Sequence, residues 1–156
     1  MIKGLGHVAL KVSDLARALE FYGRGLGLKE AFRLNQPDGT PWIVYLHVAG
    51  ESFLELLPTP ATKESGALDT AAARQPVPTP PAAATPGGLM HLCLLVDNLQ
   101  QTLKELEPRG VYPEGLPTRG QDGNWQAWLT DPDGNRIELM EINPASQQAR
   151  AAQEAR

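Results

Sequence analysis

Apolar residues alternate with other types over His7–Val12, where Val8, Leu10 and Val12 share one side and His7, Ala9 and Lys11 the other, the two-residue period of a strand. From Leu15 the period lengthens. Leu15, Leu19 and Tyr22 fall at i, i+4 and i+7, which predicts a helix over 14–24 with Ser13 or Asp14 as its cap. Strand patterns return near 28–34, 41–49 and 52–57, with Asp38-Gly39 as a turn between them. The order then recurs: a strand near 89–96, a stripe of Leu99, Leu103 and Leu106 behind Asp97 and Asn98, and strands near 111–116, 124–130 and 135–142, with Asp131-Pro-Asp-Gly134-Asn as a turn between the last two. The glycines of 22–28 follow a helix rather than a strand, so they read as helix termination and not as a phosphate loop.

The recurrence is an internal repeat. HVALKVSDL from His7 aligns without a gap on HLCLLVDNL from His91, and FLELL at 53–57 mirrors RIELM at 136–140. Trp42 precedes Glu55 by 13 residues, as Trp125 precedes Glu138 by 13, and the interval from His7 to Glu55 is 48 residues against 47 from His91 to Glu138. Each half reads strand, helix, then two or three strands, an α+β pattern. Between the halves, residues 58–88 hold seven of the 14 prolines and eight alanines, a composition that cannot form a core strand or a long helix. The expected organisation is a first module over 1–57, a Pro/Ala-rich insert or linker over 58–88 with one short turn near 67–74, a second module over 89–143, and a polar tail over 144–156, helical or loose.

Charge and composition narrow the partners. The 156 residues suffice to bury a core without a disulfide framework. With 14 Lys+Arg against 18 Asp+Glu the net charge is −4 and no basic run occurs, so neither nucleic acid nor an anionic membrane is an expected partner. A small-molecule or protein partner fits. The single cysteine, Cys93, suits a reducing compartment, and with no apolar run near the roughly 18 residues of a membrane span the expected location is the cytoplasm.

In all four repeated strand segments a polar residue opposes the apolar stripe: His7, Glu55, His91 and Glu138. Helices packed on the apolar face would leave these four on the other, a groove of two imidazoles and two carboxylates. That set suits a divalent ion such as nickel, zinc, manganese, cobalt or iron, with positions left open for substrate. A lone strand histidine is usually a surface residue; two of the three histidines at one repeat position, and two glutamates at another, favour a shared metal site. His47, matched by Thr130 in the repeat, is read as structural. Lys11, Trp125 and Cys93 are candidate substrate contacts. Cys93 has no acid–base partner of its own, and Trp42, Trp125 and Trp128 line a pocket or fill the core.

HVALKVSDL followed by FYGRGLGLK, the second HLCLLVDNL, and DPDGNRIELMEI near the C-terminus resemble the vicinal oxygen chelate superfamily, the glyoxalase/bleomycin resistance/dioxygenase group. The resemblance implies two βαβββ modules forming an open, cup-shaped sheet around one divalent metal ion, in a protein that commonly forms a homodimer. It is similar in ligand pattern to bacterial glyoxalase I (lactoylglutathione lyase), which implies metal ligands at His7, Glu55, His91 and Glu138. The implied reaction isomerises a hemithioacetal of a 2-oxoaldehyde, such as methylglyoxal, and glutathione through an enediolate, with Glu138 as first choice for the base and Glu55 as second. Where bacterial enzymes usually carry arginine four residues after the first histidine, Lys11 keeps the charge without the bidentate fork. The alternatives are another metalloenzyme of the group (epimerase, thiol transferase or dioxygenase) or a non-catalytic small-molecule-binding resistance protein.

Overall fold

The structure, a computed structural model, describes residues 2–59 and 88–154. The body of the insert, including the turn expected near 67–74, lies outside the described residues. The described residues form two compact units, each built on a four-stranded sheet.

In the first unit β1 (His7–Val12) leads to α1 (Leu15–Ala18), then β2 (Lys29–Asn35), β3 (Pro41–Ala49) and β4 (Ser52–Pro58). The strands lie in the order β1-β4-β3-β2, with β1 parallel to β4 and the others antiparallel. Asp14 caps α1, its carboxylate accepting from the N–H groups of Ala16 at 2.8 Å and Arg17 at 3.1 Å. The helix expected over 14–24 keeps α geometry only to Ala18 and widens into a π-helical stretch over Leu19–Gly25. Gly23 and Gly25 give that stretch little intrinsic preference for the α form. Gly27, at φ +80°, then ends it while the Leu28 N–H returns to the Tyr22 carbonyl at 3.0 Å. Val12, Val44, Leu46, Leu54 and Leu56 on one sheet face bury against Ala18 and Tyr22. Full burial of each such aliphatic side chain contributes about 1.5–3 kcal/mol.

The second unit repeats the plan: β5 (Leu92–Leu95), α2 (Leu99–Leu106), β6 (Thr118–Arg119), β7 (Trp125–Thr130) and β8 (Arg136–Glu141), in the order β5-β8-β7-β6. Asn98 caps α2 through the Gln101 N–H at 2.8 Å, and Leu99, Leu106, Ala127, Leu129, Ile137 and Leu139 form the core. The strand expected near 111–116 is absent, and pairing is confined to two residues of β6. Pro113 and Pro117 remove ladder donors and Gly115 adds freedom, which explains the irregular backbone there. The tail is helical over Gln147–Glu154 (α3), tied down by Asn124, whose side-chain amide donates to Gln148 at 3.0 Å. Among the described residues no helix is long and apolar enough to cross a membrane.

Candidate functional site

The strand registers decide which side chains share a face. Glu55 pairs with Ala9 on one side and Tyr45 on the other, and Glu138 pairs with Cys93 and Trp128, so both glutamates lie on the sheet face turned away from the helix and its apolar core.

In the first unit Glu55 is 6 % exposed and its Oε1 lies 3.5 Å from His7 Nδ1, the imidazole being half exposed. The Tyr45 hydroxyl donates to the Glu55 carboxylate. That bond, with burial and the carboxylate charge behind it, raises the phenol above its ordinary range. Tyr45 also stacks on Phe32 at 4.1 Å and 18°, and Phe53 lies 6.3 Å from both rings, so an aromatic shelf adjoins the pair. Lys11 is exposed and one register beyond the Ala9–Glu55 level on the same face. His47 Nε2 lies 3.0 Å from the Gly50 carbonyl and its ring meets Phe53, a role in the β3–β4 turn.

In the second unit His91 Nε2 lies 3.1 Å from Glu138 Oε2, with the glutamate 8 % exposed. The Trp128 ring meets His91 edge-on at 5.0 Å and 85°. The Arg136 guanidinium stacks over Trp128 at 4.2 Å, and its Nη2 lies 3.5 Å from Glu114 Oε2. The Thr130 hydroxyl donates to the other Glu114 oxygen. Cys93 is half-buried beside Glu138; burial first, then the Glu138 charge, pushes its thiol up to about 12. It is therefore a neutral thiol at ordinary pH, unsuited to act as a nucleophile.

Each unit thus brings one of the expected imidazoles to one of the expected carboxylates. Two neighbouring donors bound at about 2.1 Å to one octahedral ion stand about 3 Å apart, the spacing of His91 to Glu138 and close to that of His7 to Glu55. The donor chemistry and the spacing of each pair fit a divalent ion. Among the described residues no group of three or more His, Cys, Asp or Glu gathers into a cluster.

Trp125 is not on the Glu138 face. It pairs with Glu141, on the side of Ala127 and Leu129, where it lines a cavity of about 470 Å³ with Leu99, Leu116 and Glu141. The aromatic residue beside the pair is Trp128. The repeat carries the missed signal: Trp128 stands ten residues before Glu138 and Tyr45 ten before Glu55, an even offset that puts both opposite the glutamates across a hairpin. The odd offset of 13 puts Trp125 on the other face.

The family model described as "Glyoxalase/Bleomycin resistance protein/Dioxygenase superfamily" matches residues 4–139. Among solved structures the chain is similar to a glyoxalase family protein from Enterococcus faecalis, at 26 % identity over 89 % of this chain and 98 % of that one, with a TM-score of 0.64. A superfamily member from Sphaerobacter thermophilus is likewise 26 % identical, covering 90 % of this chain and 98 % of that one at a TM-score of 0.61. A lactoylglutathione lyase from Agrobacterium tumefaciens shares the fold at 23 % identity, 90 % and 95 % coverage and a TM-score of 0.56. No curated protein matches the chain by sequence at a significant level.

Proposed function

Because the chain belongs to the glyoxalase/bleomycin resistance/dioxygenase superfamily, we propose that it is a metal-dependent lyase of the glyoxalase I type, isomerising the hemithioacetal of a 2-oxoaldehyde and a thiol such as glutathione to a 2-hydroxyacyl thioester. The observation that carries this reading is the recurrence in both units of a buried glutamate within 3.5 Å of an imidazole. His7, Glu55, His91 and Glu138 are the proposed ligands of one divalent ion: nickel, zinc, manganese, cobalt or iron. When bound, the ion supplies Lewis-acid polarisation of the substrate oxygens.

The protein's own groups do the rest. Glu138 takes the carbon-bound proton and returns it to the neighbouring carbon. Tyr45 holds Glu55 through its hydroxyl, and Trp128 holds the plane of His91. Lys11 offers a positive charge to a thiol bearing carboxylates, and Cys93 lines the Glu138 face. The reading places the protein in the cytoplasm as a homodimer, in methylglyoxal detoxification.

The test is turnover of methylglyoxal with glutathione by protein loaded in turn with each of the five ions, beside a His7→Ala/His91→Ala variant. Thioester formation by wild type and not by the variant is the expected result. Metal-loaded wild type that forms no thioester would sink the lyase reading. The Phe32–Tyr45–Phe53 shelf favours a second reading, a non-catalytic binder of planar small molecules, which predicts ligand affinity unchanged by chelation.

A further inference from the structure

The Glu138 face carries a cation that the proposed proton transfer does not use. Arg136 is two residues before Glu138 on β8, so both point to the same side, their Cα atoms about 6.6 Å apart at strand spacing. The Arg136 side chain is 51 % exposed, and among the described residues its ion pair is the 3.5 Å approach of one Nη to Glu114, at the long limit of a hydrogen bond. The guanidinium carbon lies 4.2 Å over the Trp128 ring while half of the side chain stays open to solvent. The Glu114 carboxylate is itself held by the Thr130 hydroxyl on its other oxygen, so it cannot swing in to form a bidentate fork without losing that bond.

An oriented, half-open guanidinium with a single long ionic contact is built to accept a planar oxyanion. We propose that Arg136 is a specificity-determining residue that binds a carboxylate on the small molecule held at the His91–Glu138 pair, with Trp128 as its positioning residue. The ligand class is accordingly a metal-chelating molecule that also bears a free carboxylate, and the assignment rests on the reading of His91 and Glu138 as part of the reactive site.

The test is calorimetric binding to the protein as isolated, of two probes each as free acid and as methyl ester: S-methylglutathione, and 3-phenylpropionate as a carboxylate without thiol or peptide. Wild type binds the acids roughly tenfold to a hundredfold more tightly than the esters. Arg136→Gln erases that preference at unchanged metal content, and Arg136→Lys restores part of it. Equal binding of acid and ester by wild type, failure of every acid to bind, or a preference that survives Arg136→Gln overturns the proposal. A preference shown with 3-phenylpropionate alone supports Arg136 while removing glutathione from the proposed reaction, which separates the two failures.

Discussion

Two glutamates compete for the role of base, and their hydrogen bonds rank them. Glu55 accepts from a phenol, a strong donor that occupies one of its acceptor positions. Glu138 has the Cys93 thiol as its corresponding neighbour, a much weaker donor. Glu138 therefore keeps more of its acceptor positions open to a proton from the substrate. At matched metal occupancy Glu138→Gln is expected to lower kcat by about two to four orders of magnitude. Glu55→Gln is expected to cost less, because its amide oxygen still accepts from Tyr45. Steady-state kinetics on the two variants check the ranking, and a larger loss in Glu55→Gln would reverse it. Cys93→Ser, which removes no thiolate, is expected to leave kcat within about twofold.

At the scale of the element, the turn between β7 and β8 sets the register that brings Trp128 opposite Glu138. Asp131, buried in that turn, accepts from the N–H groups of Asp133 at 2.9 Å and Asn135 at 2.7 Å and from the Asn135 side chain at 2.9 Å, while Gly134 adopts φ +86°. Asp131→Ala leaves these donors without the carboxylate and is expected to cost about 2–3 kcal/mol, a fall in Tm of roughly 5–10 °C by calorimetry. This turn was legible in the sequence because its residue types carry the geometry locally. So was the two-face split of β1, β4 and β8, which put the glutamates opposite the apolar stripe. What escaped was whatever depended on cross-strand register. Trp125 and Trp128 differ by an odd number of residues; the ten-residue offset shared by Tyr45 and Trp128 hints at which of them faces the site, and the pairing Trp128 to Glu138 shows it. The strand expected at 111–116 failed for a related reason: its apolar residues suggested a strand, but Pro113 and Pro117 could not donate to the β7 edge.

For the whole molecule the decisive quantity is the number of ions per chain. Each unit carries one His–Glu pair, and a pair alone supplies two donors, fewer than the three or four protein ligands usual for a tightly held catalytic ion. If one ion draws on all four residues, loss of either histidine removes a ligand from the same ion. His7→Ala alone and His91→Ala alone then each lower metal affinity by more than the roughly 10–100-fold lost when an outer hydrogen-bond partner is removed. If instead each pair binds its own ion, each single variant retains about half the metal and the double variant none. Elemental mass spectrometry on the wild type, both single variants and the double variant separates these outcomes, and near one ion per wild-type chain with little in either single variant is expected. Stability follows the same logic, since an ion that binds only the folded chain stabilises it by about 2.7 kcal/mol at a hundred times its Kd. Chelation should therefore lower the Tm of the wild type and leave that of each single variant unmoved; a Tm indifferent to chelator in all four proteins would count against a resident ion.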